Sequence, residues 1–425
     1  MDGPERSDMT EKLPENMGPG GRNIAAWQWK VLLVLTSINL LNYFDRLLVI
    51  PMFPLLKRDF QVSDFKLGLL ASVVLLVDCL TALPAGYWSD RGPRQKIMAC
   101  GVFVWSAATF ASGLAPSYGA LAAARAGVGV GEGTYAPGGT AIISASFPAD
   151  LRARVQSVFS LGTMIGGILG LATGGVLAEA IGWRHSFMIV GLPGVLVGVA
   201  IYRLRAHVSG PRGRAPVAWG LLRIRAYVAI LGGGLFVAFS SAAFISWSPT
   251  FVVRYHHLSS AKASGWLALL VLVSSTLGVL LGGYLADRLH KRWSWGRAAT
   301  VGTGILVATP FLYATLRADS LSWFYACVFV ATAALACYHG PTTAVIHDLT
   351  PPHAHAFAFG LYMFFIHFFG DSMAPAVVGF LSDRFSLRWA LLIGVAANLI
   401  SALCFLAAVR LIARRPVSRS STRNE

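Results

Sequence analysis

The sequence predicts an all-α membrane protein: twelve transmembrane helices in two six-helix bundles related by a pseudo-twofold axis along the membrane normal. Three observations carry that prediction. The first is composition: of 425 residues 55% are hydrophobic and only 13% charged, with a mean hydropathy of +0.62, well outside the soluble globular range. The second is segmentation, because nearly all of the chain falls into twelve apolar stretches of membrane-crossing length, separated by short polar, Gly- or Pro-containing joints. The third is an internal duplication. Gly86-Tyr-Trp-Ser-Asp90-Arg91 returns 197 positions later as Gly283-Tyr-Leu-Ala-Asp287-Arg288. Gly175-Val-Leu-Ala-Glu179, followed by Gly182-Trp183-Arg184, returns 204 positions later as Gly379-Phe-Leu-Ser-Asp383, followed by Arg388-Trp389. Two unrelated patterns that shift together imply a six-plus-six plan.

Residues 1–25 are polar, rich in Gly, Pro and Glu, and contain no short apolar region before a cleavage site. They read as a disordered cytoplasmic tail, not a signal peptide. The first bundle occupies 26–203. Span one, Trp29 to Leu55, contains the 26-residue run from Val31 to Leu56 between Lys30 and Lys57, interrupted only by Asp45 and Arg46. Span two, Leu67 to Trp88, leads into Asp90-Arg91; span three is Ile97 to Leu114, and span four, Leu121 to Phe147, holds Arg125 and Glu132. Span five, Val155 to Ala180, carries Gly166, Gly170, Gly174 and Gly175 at helical spacing, a small-residue face that lets another helix approach. Span six is Ser186 to Tyr202. A basic cytoplasmic linker, 204–225, precedes the second bundle, 226–410. Its spans are Val228 to Val253, Trp266 to Ala286, Ala299 to Leu316, Leu321 to Val345, Phe357 to Leu381 and Trp389 to Val409, and a cytoplasmic tail, 411–425, follows.

A net charge of +16 would suggest nucleic acid in a soluble protein. Here most of the lysines and arginines fall on the tails and alternate connections of one side, which places both termini in the cytoplasm by the positive-inside rule. Arg203, Arg205, Arg212, Arg214, Arg223 and Arg225 around the linker suit anionic lipid at the inner leaflet and set topology; no nucleic-acid partner is expected. The five cysteines lie within apolar spans with no metal-ligand spacing, and read as reduced packing residues. No HExxH, GxSxG or nucleophile–base constellation is present, so the chain reads as a transporter, not an enzyme. It is expected to be a monomer of the plasma (inner) membrane, surrounded by its lipids and without a metal.

The ionisable residues inside the spans mark the functional path, since each charge at mid-membrane costs roughly 2.5–3.5 kcal/mol on insertion scales. Asp45 and Arg46 are adjacent, point about 100° apart on a helix, and therefore need different partners. Arg125, Gly129 and Glu132 share one face of span four, with the two charges about 10 Å apart along the axis. Each must find a partner elsewhere, and Gly127, Gly129, Gly131 and Gly133 thin this helix so that a neighbour, span one, can approach. The simplest assignment pairs Arg46 or Arg125 with Glu132 and leaves Asp45 near Asn42, Tyr43 or Tyr135. A carboxylate removed from water is a natural proton carrier, because burial penalises its charged form; Asp45 and Glu132 are the candidates, against the alternative of a permanently closed salt bridge. Asp78 is a further buried acid without an evident partner. The second bundle is poorer in charge: Tyr338 and His339 interrupt span ten, and His367 with Asp371, i and i+4 in span eleven, forms a natural hydrogen-bonded pair. Phe236, Phe239, Phe244, Trp247 and Phe251 could line an apolar wall.

Parallel six-helix repeats are the plan of major facilitator transporters, and the Asp90-Arg91 and Asp287-Arg288 copies resemble that superfamily's G-x-x-x-D-R-x-G-R loop motif. The resemblance assigns Asp90, Arg91, Asp287 and Arg288 to the cytoplasmic gate. Asn42-Tyr43-Phe44-Asp45-Arg46 resembles the spinster-type N-Y-x-D-R. Gly129-Val-Gly131-Glu132-Gly133 with Tyr135-Ala-Pro137 resembles G-x-G-E-A-x-Y-x-x-A-P, and Trp247-Ser-Pro249-Thr-Phe251 resembles W-x-P-T-F. His367-Phe-Phe-Gly370-Asp371 resembles H-L-x-G-D. The resemblance implies alternating-access export of sphingosine phosphate or a lysophospholipid, with Asp45 and Glu132 coupling it to protons and the proton as the only coupling ion or cofactor. Asn42, Arg46, Arg125, Tyr135, Phe236, Phe239, Trp247, His339 and His367 are then candidate substrate contacts, with Arg46 and Arg125 meeting an anionic head. The alternative is a facilitator transporter of a small organic anion, a sugar acid or a drug.

Overall fold

A chain this apolar has no water along most of its length to satisfy its backbone, so N–H and C=O groups must bond within the chain. Among the described residues of this computed structural model it does so with helices alone. The structure describes residues 26–135, 139, 142–143, 146–147, 151–203, 219–351 and 354–414, apart from some side chains that include those of Asp90 and Arg91. The 1–25 tail, linker residues 204–218, Pro137 and residues 415–425 lie outside them.

Helix α1, Ala26–Leu48, continues through a 3₁₀ turn, Ile50–Met52, into α2, Phe53–Phe60. Pro51 stands at the start of the turn, where a missing N–H costs nothing. The chain reverses at Gln61 (φ 52°) into α3, Asp64–Arg91, whose N-cap is Ser63, and then follow α4, Arg94–Gly113, and α5, Tyr118–Glu132, capped by Ser117. Helix α6 runs from Arg152 to Tyr202, 51 residues or roughly 75 Å at 1.5 Å each. That is more than twice a hydrocarbon core, so it holds two crossings. They meet at Gly182, whose φ of 81° and ψ of 151° only glycine adopts readily. The second half contributes α7, Arg225–His256; α8, Ser260–His290; α9, Gly296–Arg317; α10, Leu321–Ala336; and α11, His339–Leu349. It finishes with α12, His355–Phe365, a π turn over Ile366–Asp371, α13, Ala374–Arg384, a short α14, Leu387–Ala390, and α15, Leu392–Ala413. Ten stretches of the described residues are long and apolar enough to cross a membrane. One of them is the double crossing of α6, and α5 begins a further one, which is consistent with twelve.

Glycines set the packing in the first half. A Cβ on Gly162, Gly166, Gly170 or Gly174 of α6 would strike the backbone of Thr36, Leu40, Phe44 or Leu48 on α1. The span-five stripe is thus a parallel seam against span one, and Gly175 turns instead to Ser260 of α8. The glycines of α5 serve other neighbours than the expected span one: Gly129 and Gly133 seat on α3 beside Asp78, and Gly127 and Gly131 on α4. Span one is already occupied by α6, and α5 is wedged between two different helices.

The two halves share one hydrophobic core at the end of the bundle remote from the start of α1 and the finish of α15. There Leu48–Phe53, Leu67 and Trp183 pack with Trp247, Phe251, Leu267, Val378 and Leu387. At the opposite end, hereafter the terminal end, the buried clusters belong to one half each. The far end is also tied by polar contacts. Asp64 at the start of α3 pairs with Arg254 of α7 (2.5 and 2.6 Å) and accepts from Ser382 Oγ (2.6 Å) and Lys57 (2.6 Å). Asp383, at the end of α13, accepts from the backbone N–H groups of Asp64 and Phe65 (2.7 and 2.8 Å), capping α3 from the other half. Glu179 of α6 does the same for α8, accepting from Ala261 N–H at 3.0 Å. These acids are the 204-residue duplicates, and Asp64 and Ala261 stand 197 apart. The two repeats therefore build two pseudosymmetric clasps at the far end.

Candidate functional site

The charged side chains of α1, α3 and α5 sort into two groups. Asp45 receives Arg125 Nη1 on both oxygens (3.1 and 3.2 Å) and the Thr109 hydroxyl of α4 (2.7 Å). Arg125 is wholly buried, reaches the Asp45 carbonyl with Nη2 (3.4 Å), and lies over the Phe187 ring. Arg46 donates Nε and Nη2 to Glu132 Oε2 (3.1 and 2.5 Å) and Nη2 to Asp78 Oδ2 (2.9 Å), with the Tyr43 ring beside its guanidinium. Glu132 is fully buried, and its Oε1 has no hydrogen-bond partner among the described residues.

Of the expected pairings, Arg46 with Glu132 is present. The polar-neighbour expectation for Asp45 is replaced by Arg125, because α5 presents Arg125 nearly two turns before Glu132, at the level of Asp45. Tyr135 is not near Asp45; its hydroxyl donates to Asn39 Oδ1 (2.6 Å), and Asn39 in turn holds the Phe159 carbonyl (2.8 Å) of α6. Asn42 is buried with both amide atoms unpartnered among the described residues. Thr109 carried no signal in the sequence, being a lone hydroxyl in an apolar span. Asp78, lacking a partner at that stage, shares Arg46 with Glu132.

From the second half, His367 Nδ1 and Asp371 Oδ2 are paired at 2.7 Å, as their spacing predicts, across the π turn. Such a turn inserts a residue into the helical ladder and is common at functional positions. Spans ten and eleven are both interrupted at mid-depth, the first at Cys337–Tyr338 and the second at this turn. His339, just past the first interruption, is exposed, with its ring tilted by 33° against that of Tyr338 (4.1 Å between ring centres). Helix α3, which carries Asp78, touches the π turn directly, and just past that turn Ala376 N–H donates to Ser72 Oγ of α3 (3.2 Å). One polar cluster therefore spans the two halves. Arg46, Asp78, His367 and Asp371 keep 13%, 22%, 38% and 25% of their side-chain surface open, whereas Asp45, Arg125 and Glu132 keep almost none.

The aromatic wall divides. Phe236 and Phe239 are half-buried on α7. Trp247 and Phe251 lie fully buried in the shared far-end core, with Trp247 Nε1 donating to the Pro375 carbonyl (3.0 Å) and its ring against Phe53 (5.4 Å). They seal the far end instead of lining an open wall. Among the described residues, the gate pair of the second half stays within that half. Asp287 meets Arg297 (3.5 Å), Arg297 meets Asp348 (2.8 Å), and Arg288 donates to Tyr284 of its own helix (2.9 Å). The side chains of Asp90 and Arg91 are outside the described residues.

The Major Facilitator Superfamily model matches residues 35–375 and 256–425. An MFS-type efflux pump of Mycolicibacterium smegmatis is 30% identical over 400 residues, covering 89% of this chain and 91% of that protein. The sphingosine-1-phosphate transporter SPNS2 of Mus musculus is 28% identical over 378 residues, covering 82% of this chain and 69% of its own length. A crystal structure of a bacterial homologue of the human lysosomal transporter spinster, inward-facing and occupied, matches with a TM-score of 0.81 at 25% identity over 91% of this chain and 97% of that one.

Proposed function

Because the chain belongs to the Major Facilitator Superfamily, as a spinster-type transporter, we propose that it is a proton-coupled secondary active transporter of an amphipathic lipid, such as a lysophospholipid or sphingosine phosphate. The observation that carries the coupling is Glu132: fully buried, held by Arg46 through one oxygen, and with the other oxygen unpartnered among the described residues. A proton added at Oε1 leaves a neutral acid that holds the guanidinium less strongly than its carboxylate did, and Arg46 passes towards Asp78. That exchange loosens α1 from α5 and strengthens its link to α3. Asp45 is the second candidate carrier, and it is better shielded, with Arg125 and Thr109 satisfying both oxygens. The lysolipid reading is supported by the polar cluster between the halves, the half-buried Phe236 and Phe239 of α7, which packs on the π turn at Gly370, and the similarity to a sphingosine-1-phosphate transporter.

With both termini in the cytoplasm of an inner membrane, the terminal end opens inward and the plugged far end faces out. The test is uptake of labelled lysophospholipid and sphingosine phosphate into proteoliposomes under an imposed proton gradient. Wild type responds to the gradient; Glu132→Gln loses that response while keeping substrate counterflow. Unchanged proton dependence in both Glu132→Gln and Asp45→Asn overturns the coupling. The similarity to an efflux pump favours one second reading, export of drug-like amphipaths by the same cycle.

A further inference from the structure

The charges left open between the halves are unequal in sign, and this determines what the site can hold, provided the transporter reading above stands. Asp45 and Arg125 neutralise each other in a fully buried pair and offer nothing to a ligand. Of what remains among the described residues, Arg46 is the one guanidinium, and it pairs with two carboxylates, Glu132 and Asp78; a third, Asp371, lies across the interface on the π turn that α3 touches. His367 is committed through Nδ1 to Asp371, and while Glu132 is ionised the three carboxylates outnumber the cationic groups whether or not His367 carries a proton. An anionic head group would have to draw Arg46 away from two carboxylates. A cationic one meets acids that keep part of their surface open beside their partners, Asp78 at 22% next to Arg46 and Asp371 at 25% next to His367.

We propose that Asp78 and Asp371 form a binding site for the positively charged nitrogen end, an amine or quaternary ammonium, of an amphipathic substrate. The two acids sit on elements in direct contact, α3 and the π turn, and the register set by Gly68 against the Pro375 backbone and by Ala376 N–H donating to Ser72 Oγ (3.2 Å) brings the Asp78 stretch of α3 towards that turn. The Tyr43 ring already lies against a cation, the Arg46 guanidinium (5.2 Å to its centre), and ring faces attract cations as carboxylates do. Two buried polar atoms lack partners among the described residues: Glu132 Oε1, whose other oxygen shares Arg46 with Asp78, and the Tyr362 hydroxyl, on the helix that runs into the π turn. Zwitterionic lysolipids satisfy this site through their nitrogen; substrates whose only charge is negative do not.

The test is binding to the full-length protein in neutral-lipid nanodiscs, read by fluorescence polarisation, of three dye-tailed probes that share one alkyl chain and end in trimethylammonium, hydroxyl or sulfonate. The expected order is trimethylammonium tightest, by about tenfold over hydroxyl, and sulfonate weakest. Asp78→Asn and Asp371→Asn each remove most of the trimethylammonium advantage over the hydroxyl probe, with the fold of each variant checked by its size-exclusion profile. Sulfonate binding as tightly as trimethylammonium, or an advantage retained in both variants, overturns the cation site while leaving amphipath transport standing. If none of the three probes binds wild type, the amphipath reading falls together with the cation site.

Discussion

Asp45 and Arg46 are adjacent on α1, and the 100° between successive side chains sends one to Arg125 and Thr109 and the other to Glu132 and Asp78. The sequence made that split necessary, but helical spacing constrains only residues of one helix. It could not say that α5 meets α1 with Arg125 level with Asp45, nor that α4 adds a hydroxyl. Arg46 with Glu132 was legible as one of two options, and His367 with Asp371 was legible outright because both lie on one helix. Removing one partner of the sealed pair strands a charge in the interior, at a cost of about 3–5 kcal/mol. Arg125→Ala is thus expected to lower the thermal midpoint sharply, and adding Asp45→Asn to it should recover part of the loss; no recovery in the double variant would show that Arg125 acts mainly through its packing on Phe187.

At the scale of elements, the glycine seam and the two clasps make separate predictions. Gly166 and Gly170 let α6 lie on the backbone of α1, so Gly170→Leu should greatly reduce the yield of folded protein, measured by size-exclusion profile. The clasps act on one conformation only, because they exist where the far end is closed. Hydrogen bonds to a charged group contribute about 1.5–3 kcal/mol each, so Asp383→Asn together with Glu179→Gln should favour the outward-open state. Spin labels placed across the far end on α3 and α13 should then show a longer distance population, larger in the double variant than in either single one. An unchanged distance distribution would show that the apolar plug alone holds that end shut. The duplication of these acids was visible in the sequence; that they cap helices of the opposite half was not, because their partners are backbone groups that carry no sequence signature.

For the whole molecule, membrane class, helical content and repeat plan followed from hydropathy and the displaced motifs, as the family match and the spinster homologue bear out. What hydropathy could not give was the state: which end is closed depends on contacts between halves, and Trp247 and Phe251 read equally well as a cavity wall or as a plug. With the far end sealed and the cores separate at the terminal end, water reaches the middle from one side. A variant keeping Cys79 as its sole cysteine should react with a charged, impermeant thiol reagent added on the side of the termini and react far more slowly from the other. Equal rates from both sides would contradict a single open end.

The clasps also bear on how such proteins change over time. In each, one partner is an acid that mutation can delete and the other is an N–H group that every residue except proline possesses. Substitution on the receiving helix is therefore nearly silent, and loss of the clasp runs through the acid alone. Paired changes between sequences, the usual trace of a contact, would not reveal these two. Glu179 and Asp383 would instead look like solitary acids at the ends of their helices, although together they hold the two halves closed at the far end.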